Sequence, residues 1–216
     1  MSQSARGTMH DMDAPQVPAP GLRERTRRAV RAELMAEAWR LFAAQGFEAT
    51  TVEEIAAAAG MSKRSFFRYF VSKEDLVLGN LEDVGREVAA ALAERPADES
   101  AWQALRRAFD GLVAEIEADA DRFRPLLTML RSEPGLHASH VEKRQRWQTM
   151  LAPQLAARVP ARAGGSQDRP DPRLAALAGA ALTCFDVAQT AWLDDPATDL
   201  AALLDEVMTA ISTLTP

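Results

Sequence analysis

Lys63, Arg64, Ser65 and Arg68 fall within one eight-residue stretch, Lys63–Phe70, with Phe66, Phe67, Tyr69 and Phe70 set between them. The chemistry available to the first four is donation. Ammonium, guanidinium and hydroxyl groups meet the acceptors on phosphates and base edges, and the planar fork of Arg matches the paired acceptors of guanine. The aromatic residues offer an apolar underside by which so short a helix can be held. A solvated basic face over an aromatic core would have the same composition, so the flanking residues must decide.

Those flanks are rich in helix punctuation. Thr51-Val-Glu-Glu54 reads as a capping box. Val52, Ile55, Ala56 and Ala59 follow at helical spacing, and the small residues allow a second helix to cross closely. Gly60 suits a left-handed turn, Met61 can fill the corner, and Ser62 can cap the helix Lys63–Phe70. Ser72-Lys-Glu-Asp75 reads as a further capping box that opens the next helix. Two short helices joined by a Gly turn, the second bearing donors, make a helix-turn-helix whose second member lies in the major groove of double-stranded DNA.

The segments Phe47-Glu-Ala-Thr-Thr-Val-Glu-Glu-Ile-Ala, Ala59-Gly-Met-Ser-Lys63 and Phe67-Arg-Tyr-Phe-Val-Ser-Lys-Glu-Asp-Leu76 resemble the TetR family of bacterial repressors. Leu34–Gly46 extends the resemblance back through a first helix, so that it covers residues 25–80. It implies phosphate contacts by Thr51, Tyr69 and Lys73, and places Lys63, Arg64, Ser65 and Arg68 near the bases. Many members have Tyr where this chain has Phe67, so a phosphate contact through that hydroxyl is absent here. Upstream, Arg23, Arg25, Arg27, Arg28 and Arg31 form a basic run suited to phosphate, with Arg27 and Arg28 the chosen candidates. The helix they lead into has Val30, Leu34, Ala38, Leu41 and Phe42 on one face, with Trp39 read as a partly buried structural residue.

A net charge of −6 sits oddly with DNA until it is divided. Residues 21–73 carry ten basic and six acidic groups, leaving an excess of about ten acidic charges on the rest. Only the basic module should face phosphate. Residues 1–20 are polar, contain Pro15, Pro18 and Pro20, and read as a disordered arm without the apolar core of a signal peptide. No run reads as long enough to span a membrane. The single Cys184 excludes an internal disulfide and fits a reducing cytoplasm.

Beyond Leu76 the pattern is helical throughout: Ser72–Arg95 as one long helix, Glu99–Ala118, Arg122–Ser132 stopped by Pro134-Gly135, Leu136–Val159, a Pro/Gly/Arg-rich loop over 160–172, Pro172–Leu193 and Asp199–Leu214. The last two, apolar almost all round, are expected to pack against their own copies as a homodimer. Leu130-Arg-Ser-Glu-Pro-Gly-Leu136, Glu142–Trp147 and Phe185–Trp192 are similar to a TetR branch whose effector domains are described as binding acyl-CoA-like ligands. That likeness implies a small-molecule effector with an apolar tail among Phe109, Leu112, Leu126, Met129, Trp147, Phe185 and Trp192. Arg131, Arg144 or Arg146 would then meet its phosphates or carboxylate. Asp186 and Gln189, one turn apart on an apolar helix, are candidates for orienting it.

His137 and His140 lie three apart and are flanked by Glu133 and Glu142, but with no Cys nearby and no zinc-protease spacing they read as a solvent-facing helix start. No phosphate-cradling Gly loop, nucleophile elbow or paired-carboxylate motif is present, so neither an enzyme nor a cofactor is expected. The expectation is an all-α chain: an arm over 1–20, a helix-turn-helix domain over 21–76, and a helical effector-binding and dimerisation domain over 77–216. It would regulate transcription in answer to a ligand. The rival readings are a helical interaction protein and a ligand-binding enzyme whose head is vestigial.

Overall fold

Four-residue spacing of Leu34, Ala38 and Phe42 gives α1 (Leu22–Gln45) a single buried stripe, and the next three helices are laid across it. A computed structural model of the chain describes residues 21–160 and 171–213. The polar arm expected over 1–20 and positions 161–170 of the expected loop lie outside that range. Among the described residues there are eleven α-helices, one 3-10 turn and no strand. The chain is therefore all-α over that range.

Against α1 pack α2 (Val52–Ala58), α3 (Lys63–Phe66) and α4 (Lys73–Leu78), through Phe47, Ile55, Ala56, Phe66, Phe70 and Leu76. This cluster is not closed by its own residues. Leu130 of α8 (Ala120–Ser132) and Leu136 of α9 (Pro134–Leu151) are buried in it as well. A second cluster joins α5 (Leu81–Ala93), α6 (Ala101–Ala108) and α7 (Asp110–Ala118) to α9, α10 (Pro172–Asp194) and α11 (Leu200–Thr213). At its centre Phe109 and Phe185 stack with ring centroids 4.9 Å apart. The Trp102 indole N–H donates to the Met208 carbonyl at 3.0 Å, tying α6 to α11.

Four boundaries differ from the sequence expectation. The single helix Ser72–Arg95 is two, α4 and α5, broken at Gly79–Asn80. Glu99–Ala118 is likewise divided into α6 and α7 at Phe109. α8 ends at Ser132 as expected, but Pro134 already opens α9, two residues before the expected Leu136, at a position where a missing N–H costs nothing. A 3-10 turn, Ala152–Leu155, then ends the helix earlier than the expected Val159. α10 is also long and apolar enough to cross a membrane by length and composition, contrary to the sequence reading. Ala178, Ala181, Leu182, Phe185, Ala188 and Trp192 commit much of that apolarity to the core.

The α4–α5 break is held by α9. Lys143 Nζ donates to the Leu78 carbonyl at 2.8 Å and the Trp147 indole N–H to the Leu81 carbonyl at 2.6 Å. The indole can come so near only because Gly85 has no side chain: a Cβ there would lie 2.5 Å from Trp147 Nε1. In an ordinary helix Gly→Ala stabilises by up to about 1 kcal/mol. Here the sign should reverse. Gly85→Ala is expected to destabilise by about 1–3 kcal/mol through overpacking, and urea denaturation of the two proteins reads the difference.

Candidate nucleic-acid interface and ligand cavity

Local hydrogen bonding fixes the helix-turn-helix. The Thr51 hydroxyl accepts from the Glu54 N–H at 3.2 Å and Glu54 Oε2 accepts from the Thr51 N–H at 2.8 Å, closing the expected box. Gly60 makes the turn at φ +66°, a region costly for residues with a Cβ. Ser62 caps α3 by accepting from the Ser65 N–H at 3.2 Å. At the third cap Ser72 accepts from the Asp75 N–H, but the returning carboxylate accepts from Val71 instead of Ser72. The expected helix Lys63–Phe70 is one α-turn, Lys63–Phe66, followed by tighter turns. Even so, Lys63, Arg64, Phe67, Arg68 and Val71 all face outward while Phe66 and Phe70 face the core. That is one helical stripe.

The candidate DNA contacts are not equivalent. Arg64 and Arg68 are exposed and have no carboxylate partner among the described residues; Arg68 lies only loosely over the Tyr69 ring, at 6.0 Å. Lys63 is paired with Glu53 at 2.5 Å, which holds the Glu53 carboxyl below its ordinary pKa. Such an exposed pair is weak and can open. Arg27 is exposed and unpaired among the described residues, and Arg28 pairs with Glu24. The Ser65 hydroxyl lies 3.0 Å from that of Ser62, and the Thr51 hydroxyl also donates to Glu54. The Tyr69 hydroxyl makes no hydrogen bond with the described residues.

Two cations turn inward. Lys73 Nζ donates to the carbonyls of Phe47 (2.6 Å) and Thr50 (3.0 Å) and lies 4.1 Å from the centre of the Phe47 ring. In this arrangement it anchors the α1–α2 turn. Arg31, counted with the basic run in the sequence, donates to the Tyr69 carbonyl at 2.6 Å and covers Phe70. It braces the recognition segment from behind.

A cavity of about 100 Å³ lies where the two clusters meet. Leu112, Arg144, Trp147, Phe185, Asp186 and Gln189, all anticipated from the sequence, line it. Phe109 does not: it is fully buried behind Phe185. Met129 packs toward the α1 cluster, and Arg131 pairs with Asp194 at a shallower neighbouring hollow. Arg146 is held by Glu142 and Glu82, and Trp192 is buried beneath Arg124. Arg144 and Asp186 are themselves an ion pair, α9 to α10, so neither charge waits unpaired for a ligand. Sequence reading missed Met35 and Trp39 of α1, Asn80 at the helix break, and Glu115, Arg122 and His140 on the walls. A Trp on an otherwise apolar stripe was the one available signal.

His140 overturns the solvent-facing reading of that pair. His137 is exposed, but His140, nearly one turn on, faces the cavity. Burial, then the nearby charges of Arg144 and His137, push its pKa down to about 4. Its folded value thus lies below the unfolded one, so the fold holds the neutral ring. The resulting stability is complete above about pH 6.5 and is lost as pH falls toward 4, by at most about 3 kcal/mol. His140→Gln should flatten that segment of a stability-against-pH curve measured by denaturant titration. An unchanged slope would mean that the ring titrates as it does in water.

Residues 34–79 match the model of bacterial regulatory proteins of the tetR family, and residues 99–216 that of the MftR C-terminal domain. The chain is 37% identical over 145 residues to the HTH-type transcriptional regulator TcmR of Streptomyces glaucescens. That match spans 64% of each chain, just under two thirds of the relative's length. Identity is 28% over 166 residues to a protein of Mycobacterium tuberculosis named as the mycofactocin biosynthesis transcriptional regulator MftR, covering 76% of this chain and 80% of that one. The structure of Thermus thermophilus FadR in complex with lauroyl-CoA aligns with a TM-score of 0.53 at 23% identity, over 83% of this chain and 91% of that one. At such identity the likeness is one of fold. With the first-listed relatives named as transcriptional regulators and a family model covering more than half its length, the chain belongs to the TetR family of bacterial regulatory proteins.

Proposed function

We propose that the chain is a ligand-responsive transcriptional repressor of the cytoplasm that binds a palindromic operator as a homodimer. Its head, 21–76, would read DNA and its body, 77–216, would bind effector and partner subunit. The observation that carries this reading is the outward stripe of α3 and the turn after it, where Arg64 and Arg68 stand exposed without a neutralising carboxylate. Elsewhere on the surface most arginines are paired, as Arg86 is with Asp83 and Arg106 with Asp110 and Asp205. A free guanidinium on a short capped helix suits base edges. Arg27, exposed on α1, and the Tyr69 hydroxyl suit phosphate.

Two copies are needed to read a palindrome, with half-sites about 34–36 Å apart. The outer face of α10 supports such pairing: Ala176, Thr183 and Thr190 are exposed around Val187, which is 48% exposed. The effector would occupy the cavity under α1. It is small and apolar, or amphipathic like the fatty acyl-CoA bound by Thermus FadR. At about 100 Å³ the cavity is small for a drug-sized or fatty acyl ligand as it stands. A fatty acyl tail would therefore have to part α8 and α9 from the head. Such a ligand favours the parted arrangement and draws the population away from the DNA-bound one by its difference in affinity.

Arg64→Ala should cost about 1–3 kcal/mol at one base pair and relax preference there. Arg27→Ala should weaken all sequences alike and lower the salt slope by about 0.9. Fluorescence titrations of enriched duplexes at several salt concentrations separate the two, and unchanged affinity in both variants would refute the assignment. Saturating lauroyl-CoA at a hundred times its dissociation constant should add about 2.7 kcal/mol of stability, read as a rise in melting temperature. No shift with this or shorter thioesters would remove acyl-CoA from the candidates.

A further inference from the structure

Among the exposed side chains of the recognition stripe, two are apolar. Phe67 is 46% exposed and Val71 79% exposed, while their neighbours on the same face, Lys63, Arg64 and Arg68, are cations. Single exposed apolar residues are common on protein surfaces and need no reason. These two differ in their setting. Phe67 directly follows α3 and Val71 ends the turns after it, and both are exposed on the same segment as the outward-facing Arg64 and Arg68. The Phe67 ring is also oriented. It meets the buried Phe66 ring edge to face, with centroids 5.5 Å apart and planes at 87°, which restrains its position without burying it.

We infer that Phe67, with Val71 beside it, reads the 5-methyl group of a thymine in the major groove. The methyl is the one apolar feature that a base pair presents in that groove, and Phe is among the residues suited to meet it. Phe cannot donate a hydrogen bond to phosphate, so its value at this position lies in apolar contact. The flanking arginines select the occupant: they bring the ring to a polyanion and not to an apolar partner. Specificity then has two independent sources on one short segment. Arg64 supplies hydrogen bonds and Phe67 excludes water from a methyl group.

The inference rests on the DNA-binding reading above, and one experiment keeps the two apart. The full chain is used to enrich binding sequences from a random duplex library. Each thymine of the enriched half-site is then replaced in turn by deoxyuridine, which removes the methyl and leaves base pairing intact. Wild-type protein should bind one such duplex about 4-fold more weakly per contacted methyl, the factor for one buried methylene. Phe67→Ala should bind the thymine duplex more weakly and no longer distinguish it from the deoxyuridine one. Phe67→Tyr, which keeps the ring, and Arg64→Ala, which removes a different contact, should both retain the distinction. Melting curves confirm that the variants fold. Enrichment of a sequence indifferent to deoxyuridine at every position, or undiminished discrimination by Phe67→Ala, overturns this inference alone. Failure to enrich any sequence overturns the DNA-binding reading and this inference with it.

Discussion

The insertion of Trp147 into the notch at Gly85, with its N–H on the Leu81 carbonyl, holds α9 against α5 at the junction where the two clusters meet. Four residues earlier on α9, Lys143 takes the Leu78 carbonyl and lies 3.6 Å from Asp75. These two side chains straddle the break between α4 and α5, where a continuous helix would satisfy its carbonyls from its own ladder. Leu136, at the start of the same helix, is fully buried in the α1 cluster. One helix thus supplies an apolar anchor, a cation and an indole to the same junction. Removing any of them exposes apolar surface or leaves a carbonyl short of a donor, and both are costly inside a protein.

Charge in the head is sorted by what each cation can reach. Arg31 and Lys73 point at carbonyls and aromatic faces, so their electrostatic effort goes into holding turns. Arg64, Arg68 and Arg27 are left to solvent. Lys63 is intermediate, since its exposed bond to Glu53 is weak and easily exchanged for a phosphate or base. A count of basic residues does not make this distinction. The field that a polyanion would meet comes mainly from the unpaired outward groups, among them Arg27 on α1, Arg64 on α3 and Arg68 in the turn after it.

Much of the head was legible because its information is local. The Thr51–Glu54 box, the Ser62 cap and the Gly60 turn each depend on residues within four positions, and each stands as the sequence implied. The aromatic alternation at Phe66 and Phe70 likewise follows from helical period alone. What sequence could not supply was rotamer choice between distant elements. Lys73 looks identical in a string whether it faces phosphate or the carbonyl of Phe47, twenty-six residues away. The break at Gly79–Asn80 needs α9 to take its carbonyls, and the inward turn of His140 needs a cavity wall contributed by α10. Phe109 and Met129 were apolar at the right spacing, but apolar spacing marks core and cavity lining alike.

The cavity's position bears on how a ligand could be felt by the head at all. A ligand with equal affinity for two arrangements shifts nothing, however tightly it binds. Coupling therefore requires that its walls belong to parts that move relative to each other. Met35 and Trp39 come from α1, the helix on which the recognition segment rests through Phe70 and Arg31; Leu112, Phe185 and Gln189 come from the body. At about 100 Å³ the space is small for a guest the size of a fatty acyl chain while those walls stay where they are. On the proposed reading, the cost of parting them would come out of the guest's binding energy, and the displaced wall would be the head. On the proposed reading no relay across the body is needed, because the ligand would touch α1 directly.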